Sequence, residues 1–154
     1  MEEQLIETWN IHDRINHYLL AAVQPGALSA VSASKGRNVG EQFAHLHNVR
    51  LMWLSSAAAE LLAGLEKIEK GARIDNQLLD AALAASARAI EALLRKSLAA
   101  GGRIKGFKPH AVAFLGYLIS HESHHRGQIV LTLKQSGHPL DKATGYGLWE
   151  WGVR

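Results

Sequence analysis

Histidine is the residue type through which this chain can do metal chemistry. Nine histidines occur among 154 residues, and cysteine is absent. The densest group is the segment 121–128, which reads HESHHRGQ. On a helix, with about 100° between successive residues, His125 lies only about 40° round from His121. Both rings can therefore reach one ion, since imidazole nitrogens are good ligands for zinc, nickel, copper and iron.

A third histidine in the same environment is predicted on an earlier helix. His45 shares its helical stripe with Glu41, Val49, Met52 and Ser56. His47 is rotated by about 200° from His45, so we expect His45, and not His47, to face the core and join the pair. Three histidine ligands leave at least one position open, as in catalytic zinc sites. A water in that position would become more acidic and serve as a base or a nucleophile.

The elements that must position these histidines are predicted to be helices. Apolar residues recur at intervals of three and four, and the pattern predicts helices over 2–23, 38–70, 75–100 and 109–136. Asn38 and Glu41 match a capping box at the start of the second helix. The segment up to Arg37 is long for a hairpin connection, which favours a crossover. We therefore predict an all-α four-helix bundle in one domain, residues 1–154, with an irregular tail from His138.

Composition narrows the class of protein further. Apolar residues make up 47% of the chain and charged residues 20%, which favours a folded core over disorder. The absence of cysteine excludes disulfides and a thiol nucleophile. The net charge is only +3 and no nucleic-acid-binding motif occurs. The basic stretch 88–108 is interpreted as a solvated helix end and loop, or alternatively as a rim that attracts anions. No run is long and apolar enough to span a membrane, so we expect a cytoplasmic protein.

Three segments together resemble the DinB superfamily (DinB/YfiT-like proteins). They are NVGEQFAHL at 38–46, HESHHRGQI at 121–129 and YGLW at 146–149. The resemblance implies a four-helix bundle with a crossover connection, frequently a homodimer, and a divalent metal ion bound by His45, His121 and His125. We expect zinc or nickel as the bound ion, ahead of iron or manganese. Some members of the superfamily are metal-dependent transferases that activate low-molecular-weight thiols such as mycothiol or bacillithiol, and others are thiol-dependent isomerases.

Two functional hypotheses of different class follow. The first is a metal-dependent enzyme acting on a small molecule, by thiol S-transfer or by hydrolysis. The second is a non-catalytic, stress-associated bundle that binds metal. Neither involves nucleic acid or a membrane. No second catalytic group stands out, and the polar candidates within reach are Glu41, Tyr117 and Tyr146.

The string His121-Glu122-x-x-His125 also matches the zinc metalloprotease motif, in which the glutamate is the general base. Gln128 and Leu131 stand where the metzincin extension needs a glycine and a third histidine, which argues against a protease. We therefore interpret Glu122 as a polar flank residue, or as one that orients a metal ligand.

The other histidines and the tryptophans have structural interpretations. Trp9 and Trp53 are predicted to pack in the core or in a dimer interface, and Trp149 and Trp151 to fix the tail onto the bundle. His124 is placed on the flank of its helix. Surface or helix-face positions are predicted for His12 and His17, a solvated position for His110, and a structural position in a turn for His138.

Overall fold

The computed structural model describes residues 1–154 and contains helices but no β-strand. The α-helices are α1 (Glu2–Ala22), α2 (Val39–Ala57), α3 (Asn76–Ala99), α4 (Ala111–Gln135) and α5 (Lys142–Gly147). The predicted all-α class is confirmed. None of these helices is both long and apolar enough to cross a bilayer.

The four long helices form a bundle in which chain neighbours are not all spatial neighbours. Both α1 and α2 pack against α3 and against α4. Consecutive helices α1 and α2 therefore lie diagonally, and the connection 23–38 crosses between them. This is the crossover that the length of that segment predicted.

The interior is divided into two apolar clusters with a polar layer between them. One cluster contains Trp9, Leu54 and Phe114, and the other contains Phe43 and Ile129. On each long helix, buried polar residues occur between the residues of the two clusters. They are His12, Asp13 and Asn16 on α1, His47 and Arg50 on α2, Ser86 on α3, and Glu122 and His125 on α4. Buried polar groups need partners, so this layer ties the helices to one another.

Helix α2 begins where the sequence predicted and ends earlier than predicted. The side chain of Asn38 accepts from Glu41 N at 2.8 Å, and the Glu41 carboxylate accepts from Asn38 N at 2.9 Å, so the capping box is confirmed. The predicted end near residue 70 is wrong, because α2 stops at Ala57. The backbone turns at Ala58. Further on, the side chain of Asn48 accepts a hydrogen bond from the backbone N–H of Ile68 and donates one to the Ile68 carbonyl. The chain after α2 therefore folds back along the helix.

The tail is more ordered than predicted. It contains α5 and a 3-10 turn over Trp151–Val153. The prediction for Trp149 is wrong, since its side chain is 81% exposed. Arg154 fixes the tail instead: its guanidinium lies 3.7 Å from the centre of the Tyr18 ring and donates to the carbonyl of Gly147. A Cβ at Gly147 would overlap the Tyr18 hydroxyl, so this close approach requires glycine.

Candidate metal centre

Three histidines from two helices come together between α2 and α4. Helix α4 carries His121 and His125 one turn apart, and α2 presents His45 to both of them. The ring centroids are 5.3 Å apart for His45 and His121, 4.5 Å for His45 and His125, and 4.7 Å for His121 and His125. Each ring offers one nitrogen, and these three nitrogens all lie within 4.8 Å of one another. The three residues singled out by helical phase therefore lie at one place.

The orientation of His125 is set by a neighbouring amide. Its Nδ1 lies 2.7 Å from Oε1 of Gln42, and both side chains are buried. Gln42 uses its Nε2 to donate to Gln128 at 3.2 Å, so its oxygen is the atom that faces the ring. Nδ1 of His125 must then carry the proton, which leaves Nε2 with a lone pair for a metal ion. A ligand histidine that donates its other N–H in this way is typical of metal sites.

His121 supplies an independent test of whether the residues fit a metal ion. Its Nδ1 is buried and has no hydrogen-bond partner. Buried polar atoms without partners are uncommon, and each calls for an explanation. A set of three imidazoles is a donor set suited to zinc, nickel, copper or iron. The unpaired nitrogen and the chemistry of the donor set both fit a divalent cation.

The three rings are held in the neutral form that binds metal. Burial lowers the pKa of His45 and of His125 to about 4, and it also lowers the pKa of His121. The positive charge of Arg37 acts in the same direction on all three rings. A protonated imidazole has no free lone pair, so neutral rings at neutral pH are ready to ligate.

A cleft of about 1070 Å³ opens beside His45. The first turns of α2 form its floor, and its walls come from the crossover connection and from the segment 67–72. This volume is at the upper end of what small-molecule sites usually occupy. His45 is therefore accessible from a space that can hold a small molecule.

Glu122 does not serve this site. Burial alone would raise the pKa of its carboxyl, but Arg50 holds that pKa far below its ordinary value. Arg50 binds both carboxylate oxygens, at 2.7 and 2.8 Å, and His12 and Asn16 bind the same group at 2.8 and 2.7 Å. The expectation of a polar flank residue is wrong, because Glu122 is only 1% exposed. Its engaged carboxylate also removes the general base that the protease motif would need.

The surface placement predicted for His12 is wrong as well. His12 is fully buried, and burial lowers its pKa despite the contact with Glu122. Arg126 donates to its Nδ1 at 3.2 Å, so the neutral ring donates to Glu122 from Nε2. His17 is partly buried between Asp13 and Asp80, where the hydrogen bond to Asp13 raises its pKa.

One signal for the buried polar layer was present in the sequence. Arg50 follows Leu46 by four residues and precedes Leu54 by four, so it lies on the apolar stripe of α2.

The remaining histidines lie outside the cluster. The nitrogens of His47 face the carbonyl oxygens of Ala82 and Glu66 at 3.0 and 2.8 Å. His47 points away from His45 as predicted and is the more buried of the two, whereas His45 is half-buried where α2 faces the two histidines of α4. His124 is exposed and accepts from Gln128, and His110 caps α4 by accepting from Ala113 N. His138 is exposed.

Of the other polar candidates, only two approach the cluster. Glu41 lines the cleft next to His45, and the Tyr117 ring lies nearly parallel to that of His121 at 6.2 Å. Tyr146 is 64% exposed on α5, beside Lys142. In the basic stretch, Arg95 pairs with Glu3 and Glu91 and Lys96 pairs with Glu60, and none of its residues lines the cleft.

An all-α bundle with a crossover and three converging histidines is the class of protein that these observations define. The model of the DinB family matches residues 1–151, and the chain belongs to that family. No curated protein and no solved structure matches the chain.

Proposed function

We propose that this DinB-family protein binds a divalent metal ion through His45, His121 and His125, and that it is a metal-dependent enzyme acting on a small molecule by thiol S-transfer or hydrolysis. The observation that carries the proposal is the convergence of three ring nitrogens within 4.8 Å of one another. Family membership and the unpaired nitrogen of His121 support it. We expect zinc or nickel, which such nitrogen donors bind more tightly than they bind iron or manganese.

The ion, when bound, supplies a Lewis acid that lowers the pKa of a thiol or a water molecule. The protein's own part is to hold the three rings neutral and correctly turned. Gln42 orients His125 by accepting its Nδ1 proton. The cleft beside His45 admits the reactant. Because α2 and α4 are both fixed by the buried polar layer, the two sides of the site keep their spacing.

The first experiment measures metal content. We expect stoichiometric metal in the purified wild-type protein and its loss in His45→Ala, His121→Ala and His125→Ala, because each variant removes one of three ligands. His124→Ala is the matched control: its ring lies 5.2 Å from His125 on the same helix but outside the cluster. Elemental analysis decides the matter, and stoichiometric metal in His125→Ala would overturn the assignment.

A second experiment separates an enzyme from a bundle that only binds metal. The wild-type protein is incubated with an electrophile and a thiol donor, then treated with a chelator and reloaded with zinc. Turnover that disappears with the metal and returns with it supports the enzyme. A wild-type protein that holds its metal and turns over neither thiol nor hydrolysable substrates supports the non-catalytic alternative.

A further inference from the structure

The cleft beside His45 has walls that are built by specific contacts. Asn48 donates to the carbonyl of Ile68 at 2.9 Å and accepts from its N–H at 3.0 Å, and His47 contacts the carbonyl of Glu66. These bonds fix the wall formed by residues 67–72 to α2. Loops that bind ligands on a rigid scaffold are a common arrangement in proteins.

The opposite wall is the crossover connection, and it is fixed equally closely. Gly40 N donates to the carbonyl of Leu28 at 2.8 Å, and Val39 N donates to that of Ala30 at 3.0 Å. A Cβ at Gly40 would lie only 3.3 Å from a methyl carbon of Ile74, so a side chain there would require Ile74 to move. Arg37 emerges from this wall immediately before α2.

The charges lining the cleft leave positive charge uncompensated. The lining contains three cationic side chains and two carboxylates, Glu41 and Glu69, and Lys67 pairs with Glu69 at 3.3 Å. Arg37 and Lys70 line the same cleft and form no ion pair. One cation on each wall is therefore free to bind an anion.

We propose that the cleft binds a small molecule through a carboxylate or phosphate group, held by Arg37 with Lys70 as the second cation, so that the rest of the molecule lies beside His45. The guanidinium group binds such oxyanions through two parallel hydrogen bonds. Arg37 and His45 line the same cleft, so an anion held by Arg37 lies in the space beside the histidine cluster. That this molecule is the reactant rests on the proposed function.

The test follows binding of two probes, succinate and inorganic phosphate, to the full-length protein in its zinc-loaded and metal-free forms. In ¹⁵N-resolved spectra we expect shifts of the Arg37 Nε–H and of amides on the two walls. Arg37→Gln should weaken binding about tenfold or more, since it removes charge-assisted hydrogen bonds, and Lys70→Gln should weaken it less. The probe that binds more tightly shows whether the natural ligand carries a carboxylate or a phosphate.

Arg88→Gln is the control, because Arg88 is an exposed arginine on α3 away from the cleft. It should bind both probes as the wild type does. Unchanged binding in Arg37→Gln, or shifts confined to residues 88–108, would overturn the proposal. Arg37→Gln should keep its metal, so loss of anion binding with full metal content tests this site alone. A wild-type protein that cannot hold metal would refute the proposed function. If that protein still binds the anions, the anion site remains supported.

Discussion

At the scale of single residues, Gln42 controls which nitrogen of His125 is available. The amide oxygen accepts the Nδ1 proton at 2.7 Å, and the amide nitrogen is committed to Gln128. A ring without this partner can turn or exchange its tautomer, and either change moves the lone pair away from the other two histidines. Nothing in the sequence singled out Gln42, because its role depends on the contact of α2 with α4.

Replacing Gln42 with leucine should weaken metal binding by about 10- to 100-fold, the usual effect of losing a partner behind a ligand histidine. Leucine keeps the size of the side chain and removes the acceptor. Gln42→Glu retains an acceptor and should restore most of the affinity. Competition with a chromophoric chelator measures both variants without any assay of turnover, and equal affinities for Gln42→Leu and the wild type would contradict this role.

At the scale of elements, a buried ion pair joins the helices where the two apolar clusters meet. Arg50 of α2 binds Glu122 of α4, Asp13 of α1 and the carbonyl of Leu83 on α3. Its guanidinium also lies 4.9 Å from the centre of the Trp9 ring. All four long helices therefore meet at one side chain, which no single helical pattern can reveal.

Glu122→Gln should lower the free energy of unfolding by about 3–5 kcal/mol, because it leaves the buried charge of Arg50 without its main partner. Glutamine preserves the shape, so the loss reports on charge rather than on packing. Glu7→Gln on the exposed face of α1 should change the stability by no more than about 0.5 kcal/mol. Urea denaturation compares the variants, and a Glu122→Gln protein as stable as the wild type would show that the pair does not hold the helices together.

The helices also show which structural features local sequence patterns can predict. The phase of a helix follows from its 3.6-residue period, so the relation of His121 to His125 was predictable. The end of α2 was not, because residues 58–70 include alanine and leucine, which favour helix. Contacts distant in sequence decided it, since Asn48 binds Ile68 and leucines after Ala58 pack on the core. Glu122 and His12 were missed for the same reason, as their burial depends on partners from other helices.

At the scale of the whole molecule, the crossover determines which helices share the candidate site. Because α1 and α2 lie diagonally, α2 contacts both α3 and α4. His45 thereby faces His121 and His125, which lie more than seventy residues further along the chain. Helical phase selected the inward-facing histidines on each helix, and the family resemblance implied that the two helices lie side by side, which spacing alone does not show.

A metal ion that bridges α2 and α4 should stabilise the entire fold, since the unfolded chain does not bring the three ligands together. At a free zinc concentration of about 100 times Kd, the expected gain is about 2.7 kcal/mol. For a chain of this size that raises Tm by about 5–10 °C. Differential scanning calorimetry with zinc, and again after EDTA, measures the effect. His124→Ala should show the full rise in Tm and His121→Ala none, because His121 is a proposed ligand whose buried Nδ1 has no hydrogen-bond partner in the protein. A similar rise in both variants would place the ion elsewhere.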